Sequence, residues 1–187
     1  MSGPADQFRP LSRGAAFSAA NKLERVVWRI TWLLLARATP PPLAAWRCFL
    51  LRLFGAKIGA GAKVYGSARV WLPRHLEIGE GVIVGAGAEL YNQGRIAIGP
   101  FCVISQRAFV CASTHRTSDP GFALETRPIT FGRGCWVAAE AFVGPGVTMG
   151  DGAVLAARAA LFEDAEPMGI YRGNPAVLIG RRRFEDR

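Results

Sequence analysis

Large apolar residues recur every six positions through the middle of the chain. They form five sets of three: Ile58, Val64 and Val70; Ile78, Val84 and Leu90; Ile98, Ile104 and Val110; Phe131, Val137 and Val143; Met149, Leu155 and Leu161. The residue types concerned make up only 53 of 187 residues, so fifteen matches are not a chance pattern. A six-residue unit fits a short strand and a turn, and three units close one triangular coil that must stack on others. The period predicts an all-β fold, a parallel β-helix of about five triangular coils.

Small residues mark the turns of this repeat. Glycine often follows the apolar residue, where we expect a tight corner with positive φ: Gly59, Gly79, Gly85, Gly99, Gly132, Gly144 and Gly150. Four positions after the apolar residue the side chain is again small, which indicates a narrow corner: Ala62, Ala68, Ala88, Cys102, Ala108, Cys135, Ala141, Ala153 and Ala159.

Every insertion into the repeat follows the third apolar residue of a set. The step is eight residues from Val70 to Ile78 and twenty-one residues from Val110 to Phe131. In a three-sided prism these insertions fall at the same corner of successive coils. The segments around 73–76, 91–94 and 115–130 should therefore stack along one edge, and loops on a rigid scaffold commonly carry chemistry.

The repeat divides the chain into three parts. Residues 1–57 form a predicted amino-terminal helical cap, 58–165 the β-helix with a catalytic loop at 111–130, and 166–187 a carboxy-terminal extension. Helical composition over 21–36 and 43–54, with arginines among Trp28, Trp32 and Trp46, fits a cap over the open end of the β-helix. A basic, Trp-rich pair could also lie on an anionic membrane, and the two roles are compatible.

Residues 26–36 form the most apolar stretch, but this stretch is too short to span a bilayer. Ala36-Arg37-Ala38 imitates a signal-peptide cleavage site, although the 25 residues before the apolar stretch are too many for the charged region of a signal peptide. We expect a cytoplasmic protein, with peripheral contact at the inner face of the membrane as a further expectation.

Charge and cysteine content narrow the chemistry. The net charge of +9 suits phosphate, anionic lipid or nucleic acid as a partner and cannot choose among them. The four cysteines have no metal-ligand spacing, so we expect free thiols in a reducing compartment. A zinc-dependent carbonic anhydrase needs about three histidine ligands. The chain has only His75 and His115, so we predict no metal site.

His115 opens the longest insertion and is the candidate catalytic residue. An imidazole can take up a proton at physiological pH, which attack by a hydroxyl group requires. The alternative is a loop histidine without a role. Asn92, on the same edge one coil earlier, could orient an acceptor hydroxyl, or it could satisfy its own turn. Cys111 lies four residues before His115 but occupies a corner, where we expect it to pack.

Several motifs carry a family resemblance. They are Ile104-Ser105-Gln106, Ser113-Thr114-His115, Thr117 to Phe122, Pro128-Ile129, Cys135 to Val143, Gly173-Asn174-Pro175-Ala176, and, before the repeat, Asn21-Lys22-Leu23 and Leu50 to Ala56. On these motifs the chain resembles the hexapeptide-repeat acetyltransferases, most of all the colanic-acid biosynthesis acetyltransferase group.

The resemblance implies a left-handed β-helix and a homotrimer that binds acetyl-CoA, its co-substrate, between subunits. It implies that His115 is the catalytic base and that Trp136 packs against the cofactor, the alternative for Trp136 being a contact with a neighbouring subunit. The backbone amides of Ala139 and Ala157 match positions that bond the pantetheine arm.

The chain departs from the family where relatives carry Thr followed by Lys or Arg, because it has Phe162 and Glu163 there. Arg181, Arg182 and Arg183 are the candidate substitutes for a phosphate contact, or they form a solvated charge run.

The resulting expectation is an O-acetyltransferase that acts on a sugar hydroxyl in exopolysaccharide biosynthesis. Another small acceptor, such as serine or an amino sugar, fits the same chemistry. A basic scaffold or nucleic-acid binder is the non-enzymatic alternative. That alternative leaves the long insertion without a purpose, and we expect no nucleic-acid partner.

Overall fold

The structure is a computed structural model and describes residues 17–184. Residues 1–16 of the predicted cap and 185–187 of the predicted extension lie outside the described residues. The described chain begins with helices α1 (Ala19–Leu35) and α2 (Ala44–Leu53), which a short 3-10 turn at Pro41–Leu43 separates. Both helices lie where the sequence predicts them.

Three sheets of parallel strands form the sides of a triangular prism. The first contains β1 (Lys57–Ile58), β4 (Leu76–Ile78), β7 (Ile96–Ile98), β12 (Ile129–Phe131) and β15 (Thr148–Met149). The second contains β2 (Lys63–Val64), β5 (Ile83–Val84), β8 (Val103–Ile104), β13 (Trp136–Val137), β16 (Val154–Leu155), β18 (Gly169–Gly173) and β19 (Ala176–Arg181). The third contains β3 (Arg69–Val70), β6 (Glu89–Tyr91), β9 (Phe109–Cys111), β14 (Phe142–Val143) and β17 (Ala160–Leu161). A separate hairpin joins β10 (Ser113–His115) to β11 (Leu124–Thr126).

The six-residue period sets the register of the strands, because residues at equivalent repeat positions pair between successive coils. Val64 pairs with Val84, which pairs with Ile104, and the same apolar ladder continues through the second sheet. Of the fifteen repeat positions, fourteen are buried and Ile58 is half-buried. The nine small corner residues are buried as well. The prediction of a left-handed parallel β-helix is confirmed.

The coil count differs slightly from the prediction. After five complete coils, Ala165 bridges to Met149 and β18 pairs in parallel with β16, which adds part of a sixth coil. Strand β19 then folds back antiparallel on β18. The segment after residue 165 therefore continues the second sheet, which the apolar period did not show because the six-residue spacing ends at Leu161.

The prediction of positive φ at the glycine after each apolar residue was wrong. At Gly59 and Gly79 φ is not positive, and what excludes a side chain is space. A Cβ atom on Gly59 would lie 2.5 Å from the backbone nitrogen of Glu80 in the next coil. The left-handed conformation falls two residues later, at Gly61 and Gly81 with φ of 67° and 65°. Glycine after the apolar residue thus allows close stacking of coils.

The helices close the first coil. Trp28 donates its indole N–H to the carbonyl of Val70 at 2.8 Å, and Trp32 donates to that of Ala68 at 3.0 Å. Arg47 is buried, its pKa is lowered by desolvation, and it donates to the carbonyls of Val64, Pro40 and Pro41. These bonds fix the cap to the β-helix because buried polar groups need partners. Among residues 17–184, no helix has the length and apolarity that a membrane span requires.

We expect Gly79→Ala to destabilise the fold by about 1–3 kcal/mol, the usual cost of overpacking. The added Cβ would lie 2.7 Å from the backbone nitrogen of Pro100, which cannot move without shifting a coil. Gly180→Ala is the control, because nothing lies within 4 Å of its Cβ position. Urea denaturation of both variants measures the difference; equal stability would contradict the stacking argument.

Candidate active site

The longest insertion folds as a β-hairpin at the corner between the third and first sheets. His115 pairs with Leu124 at the outer end of the hairpin. At its base, Arg127 donates its backbone N–H to the carbonyl of Ala112, and Ala112 donates to Tyr91 one coil below. The His75 ring in turn bonds the backbone of Gln93. The three insertions therefore stack along one edge, and the segment predicted as a catalytic loop contains paired strands.

The imidazole of His115 is exposed, and a single contact fixes its tautomer. Nδ1 lies 2.6 Å from the carbonyl oxygen of Phe122. A carbonyl oxygen can only accept a hydrogen bond, so Nδ1 carries the proton and donates. In the neutral ring, the free lone pair is then on Nε2, as a general base requires.

A tight turn holds the Phe122 carbonyl in place. Phe122 has φ of 48°, an uncommon conformation for a non-glycine residue, and its N–H donates to the carbonyl of Asp119 at 2.9 Å. The Asp119 carboxylate accepts from the N–H of Gly121 at 2.8 Å. Asp119 therefore positions the acceptor of the His115 proton, a role that its Asp-Pro-Gly turn could have suggested from the sequence.

Asn92 serves the backbone beneath the hairpin. Its side chain is buried, its oxygen accepts from the N–H groups of Trp71 and Leu72, and its nitrogen donates to the carbonyl of Leu72 at 2.6 Å. This geometry favours the structural alternative. A direct contact with an acceptor stays a prediction and would require these bonds to break.

The other candidates on this edge also make local contacts. The Nδ1 atom of His75 donates to the carbonyl of Gln93 at 3.0 Å, and the ring stacks on Trp71. The thiol of Cys111 is half-buried and donates to the carbonyl of Ser113 at 3.3 Å. Within residues 17–184, no three His, Cys, Asp or Glu side chains come close enough to hold a metal ion.

Ala139 and Ala157 meet at the corner between the second and third sheets. Because Val137 pairs with Leu155, the two alanines stack, and the N–H of Arg158 donates to the carbonyl of Ala139 at 2.9 Å. Neither alanine N–H has a hydrogen-bond partner within the part of the chain that the structure describes. Small side chains and free donors suit a ligand that carries a chain of amide groups.

Trp136 lies on the outer face of the second sheet, on the strand that leads to this corner. Its side chain is 46% exposed, and its indole N–H donates to the hydroxyl of Ser105 at 2.9 Å. The exposed indole can cover a ligand or contact another subunit, so both roles considered from the sequence remain open to it.

Arg181 and Arg182 lie at a different corner from the two alanines. Arg182 donates to the carbonyl of Gly134, between the first and second sheets, and Arg181 pairs with Glu166 at 2.5 Å. The antiparallel return of β19 causes this separation, because it pairs Arg181 with Gly169 at the start of β18. Within one subunit the structure does not bring these arginines to the alanines, and their role with the cofactor stays a prediction.

A different arginine lies near the alanine corner. Tyr171 pairs with Leu155, so Arg172 follows above Ala156 with an exposed side chain. The sequence does not single out Arg172, because the apolar period stops before β18. Arg158 is closer still, but it pairs with Glu140, whose pKa it lowers through a hydrogen bond.

The site groups thus occupy different corners of one prism. His115 lies between the third and first sheets, and Ala139 and Ala157 lie between the second and third. The third sheet, one whole side of the prism, separates the His115 imidazole from the N–H groups of Ala139 and Ala157. Within one subunit the structure therefore does not bring these groups together.

An oriented imidazole on an inserted hairpin, combined with free amides on a left-handed β-helix, defines an acyltransferase of the hexapeptide-repeat class. No family model matches the chain. A protein of Escherichia coli strain K12 called colanic acid biosynthesis acetyltransferase WcaF is 39% identical over 166 residues, which cover 89% of this chain and 91% of that protein. The chain belongs to the hexapeptide-repeat acetyltransferases, in the group that includes WcaF.

Solved structures share the fold. A hexapeptide-repeat acetyltransferase from Vibrio cholerae O1 biovar eltor, complexed with acetyl coenzyme A, gives a TM-score of 0.81 at 18% identity and covers 97% of this chain and 98% of its own. A maltose O-acetyltransferase from Clostridium difficile 630 gives 0.81 at 19% identity, covering 89% and 90%. At these identities the likeness shows the fold alone.

Proposed function

We propose that this acetyltransferase moves an acetyl group from acetyl-CoA to a sugar hydroxyl, with His115 as the general base. The observation that carries the proposal is the hydrogen bond from Nδ1 of His115 to the Phe122 carbonyl. In the neutral ring it leaves the lone pair on Nε2, and the exposed imidazole lies on the ridge of inserted segments. A group in that state can accept the proton that a hydroxyl loses as it attacks.

The reaction needs one base and no covalent enzyme intermediate. Nε2 of His115 takes the hydroxyl proton while the sugar oxygen forms a bond to the thioester carbonyl carbon. The carbon–sulfur bond then breaks, the acetyl ester is formed, and the imidazolium returns its proton to the departing thiolate. The bond to Phe122 is strengthened while the ring is positively charged, because charge-assisted hydrogen bonds are the stronger ones.

The alanine corner supports acetyl-CoA as the donor. The free N–H groups of Ala139 and Ala157 can donate to amide carbonyls of the pantetheine arm, and Trp136 presents its indole nearby. Arg172 is an exposed cation at the same end of the second sheet and pairs with no carboxylate of residues 17–184, so it can contact cofactor phosphate. Arg181 and Arg182 lie at the opposite corner of that sheet.

A homotrimer would unite the separated corners. The outer face of the third sheet carries a ladder of aromatic rings, in which Phe109 and Phe142 lie 5.6 Å apart and Phe142 and Phe162 also 5.6 Å. Phe162 is exposed. Such a face between the two half-sites is suited to subunit contact, because aromatic residues are enriched in interfaces.

A sugar of an exopolysaccharide precursor is the proposed acceptor, in the cytoplasm. The name of the WcaF relative and the maltose O-acetyltransferase among the structural neighbours support this choice. The bare chemistry of one base fits serine or an amino sugar equally well, so product mass must decide.

We further propose that the cap touches the inner face of the membrane. The outer face of α1 exposes Leu23, Val26, Val27, Ile30, Leu33 and Leu34. Exposed apolar residues beside Lys22 and Arg29 form the pattern of a helix that lies in an anionic interface.

His115→Ala should lower turnover by about 10²–10⁴, the usual contribution of one positioned base. The assay follows thiol release from acetyl-CoA with a panel of sugars, nucleotide sugars and lipid-linked glycans, and identifies products by mass. Acetyl-CoA affinity, measured by calorimetry, should stay unchanged. Thr117→Ala, an exposed change in the same hairpin, is the control. Near-normal turnover of His115→Ala would refute the assignment.

Mixed trimers test the split site. We expect His115→Ala and Ala157→Trp, which fills the cofactor corner, to be inactive separately. Expressed together as differently tagged subunits, they should regain activity at roughly a quarter of the sites, because one interface in four then combines an intact base with an intact corner. No recovery in verified mixed trimers would show that one subunit supplies both groups.

Membrane contact predicts that the chain sediments with vesicles containing phosphatidylglycerol. Val27→Ser combined with Leu34→Ser should reduce the bound fraction, because both side chains lie on the outer face of α1. Val177→Ser with Ile179→Ser removes exposed apolar groups from β19 and serves as the control. Equal binding of both double variants would end the proposal.

A further inference from the structure

A groove runs between α1 and the third sheet, below the hairpin that carries His115. Its volume is about 760 Å³. Helix α1 forms one wall, and outward-facing residues of β3 and β6 and the segments after them form the other. Tyr91 is at the upper end, and it pairs with Cys111 in the strand that leads into the hairpin.

The groove has an excess of positive charge. Arg25, Arg29, Arg37 and Arg69 line it, against one carboxylate, that of Glu89. Arg69 lies 3.5 Å from Glu89, and no carboxylate within residues 17–184 pairs with the other three arginines. Like charges in one groove repel each other unless an anion binds between them.

Arg25 is held ready for such an anion. Its guanidinium carbon lies 4.5 Å from the centre of the Trp71 ring, a contact that fixes the orientation of the side chain. Its Nε atom is buried and has no hydrogen-bond partner among residues 17–184. A buried donor without a partner is rare in proteins and calls for a ligand or water.

The arrangement suits two adjacent phosphoryl groups. Arg25 and Arg29 are four residues apart on α1, about 6 Å along the helix axis, and both line the groove. The planar guanidinium fork binds phosphate oxygens in pairs, which makes arginine well suited to this ligand. Exposed Ile30 and Leu33 form an apolar rim beside the charges.

We infer that this groove binds the diphosphate of a diphosphate-linked sugar while the sugar reaches His115. The inference rests on the proposed function and specifies its acceptor. His115 lies four residues after Cys111, a reach of at most about 14 Å. Between the groove and the hairpin, Gln93 donates its side-chain N–H to the Tyr91 hydroxyl at 2.7 Å and so orients that hydroxyl at the upper end of the groove.

Binding of inorganic pyrophosphate tests the groove without any acetyl transfer. Calorimetry is done with coenzyme A at saturation, so that the phosphate site of the cofactor is filled. Arg29→Gln/Arg37→Gln should weaken binding by about tenfold or more, since charge-assisted hydrogen bonds are lost. Arg25→Gln/Arg29→Gln should weaken binding as well. It also removes the Arg25–Trp71 contact and could disturb the fold, so the first variant, which keeps that contact, is the decisive one. Lys57→Gln/Lys63→Gln removes the same charge elsewhere and should change nothing.

Kinetics with one sugar in three forms identify the acceptor. The sugar is offered as a methyl glycoside, as a nucleotide diphosphate sugar and as a polyprenyl diphosphate sugar in detergent. Arg29→Gln/Arg37→Gln should raise KM for at least one diphosphate form by about tenfold and leave kcat/KM for the methyl glycoside within about twofold. The form with the lower KM in the unchanged protein reveals whether the carrier is nucleotide or lipid.

The outcomes separate this inference from the proposed function. If pyrophosphate binds and the arginine variants weaken this binding, but no sugar is acetylated, the proposed function is wrong and the groove is still a phosphate site. If neither arginine double variant changes KM or kcat/KM for any of the three sugar forms, the inference about the groove is wrong. Pyrophosphate binding that coenzyme A abolishes, or variants that lose only binding to anionic vesicles, would also overturn it.

Discussion

The inward apolar ladder of the repeat is the constraint on which the rest of the molecule depends. Val64, Val84 and Ile104 stack in register, and each coil buries its apolar face only against the next. This stacking leaves no room for a Cβ at Gly59 or Gly79, so the coils approach at backbone distance. The result is a stiff prism whose corners are fixed in space, because packed interiors resist deformation.

Because the prism is stiff, the place where extra residues are inserted in the sequence determines where they lie in space. Extra residues cannot enter the apolar ladder, so they leave at one corner, where the stacked insertions support one another. Asn92 ties the backbone of the first insertion, and the base of the hairpin rests on Tyr91. His115 then projects from this support with its Nδ1 proton held by Phe122. The imidazole has a defined position because the edge below it is packed and hydrogen-bonded.

The cap and the β-helix also form a unit. Trp28 and Trp32 donate to backbone carbonyls of the first coil, and this contact sets α1 alongside the third sheet. The same placement creates the arginine groove, because it brings Arg25 and Arg29 opposite Arg69. Helix α1, which closes one end of the fold, therefore also forms one wall of the arginine groove, towards the edge that carries His115. In this chain, the tryptophan contacts that hold the cap on the β-helix also form the groove.

The sequence by itself determined the coil, its register and the edge that carries His115, because the six-residue period is a local pattern that repeats in every coil. It also located both helices from composition. Tertiary structure alone decided the tautomer of His115, which depends on a carbonyl seven residues away, and the burial of Asn92 beneath the Trp71 corner. It moved Arg181 and Arg182 away from Ala157, since the return of β19 reverses the chain direction. It also brought Arg25 beside Trp71, residues that no period connects. These contacts join residues far apart in the sequence and depend on how whole segments pack together. The residue spacing within one segment does not predict them.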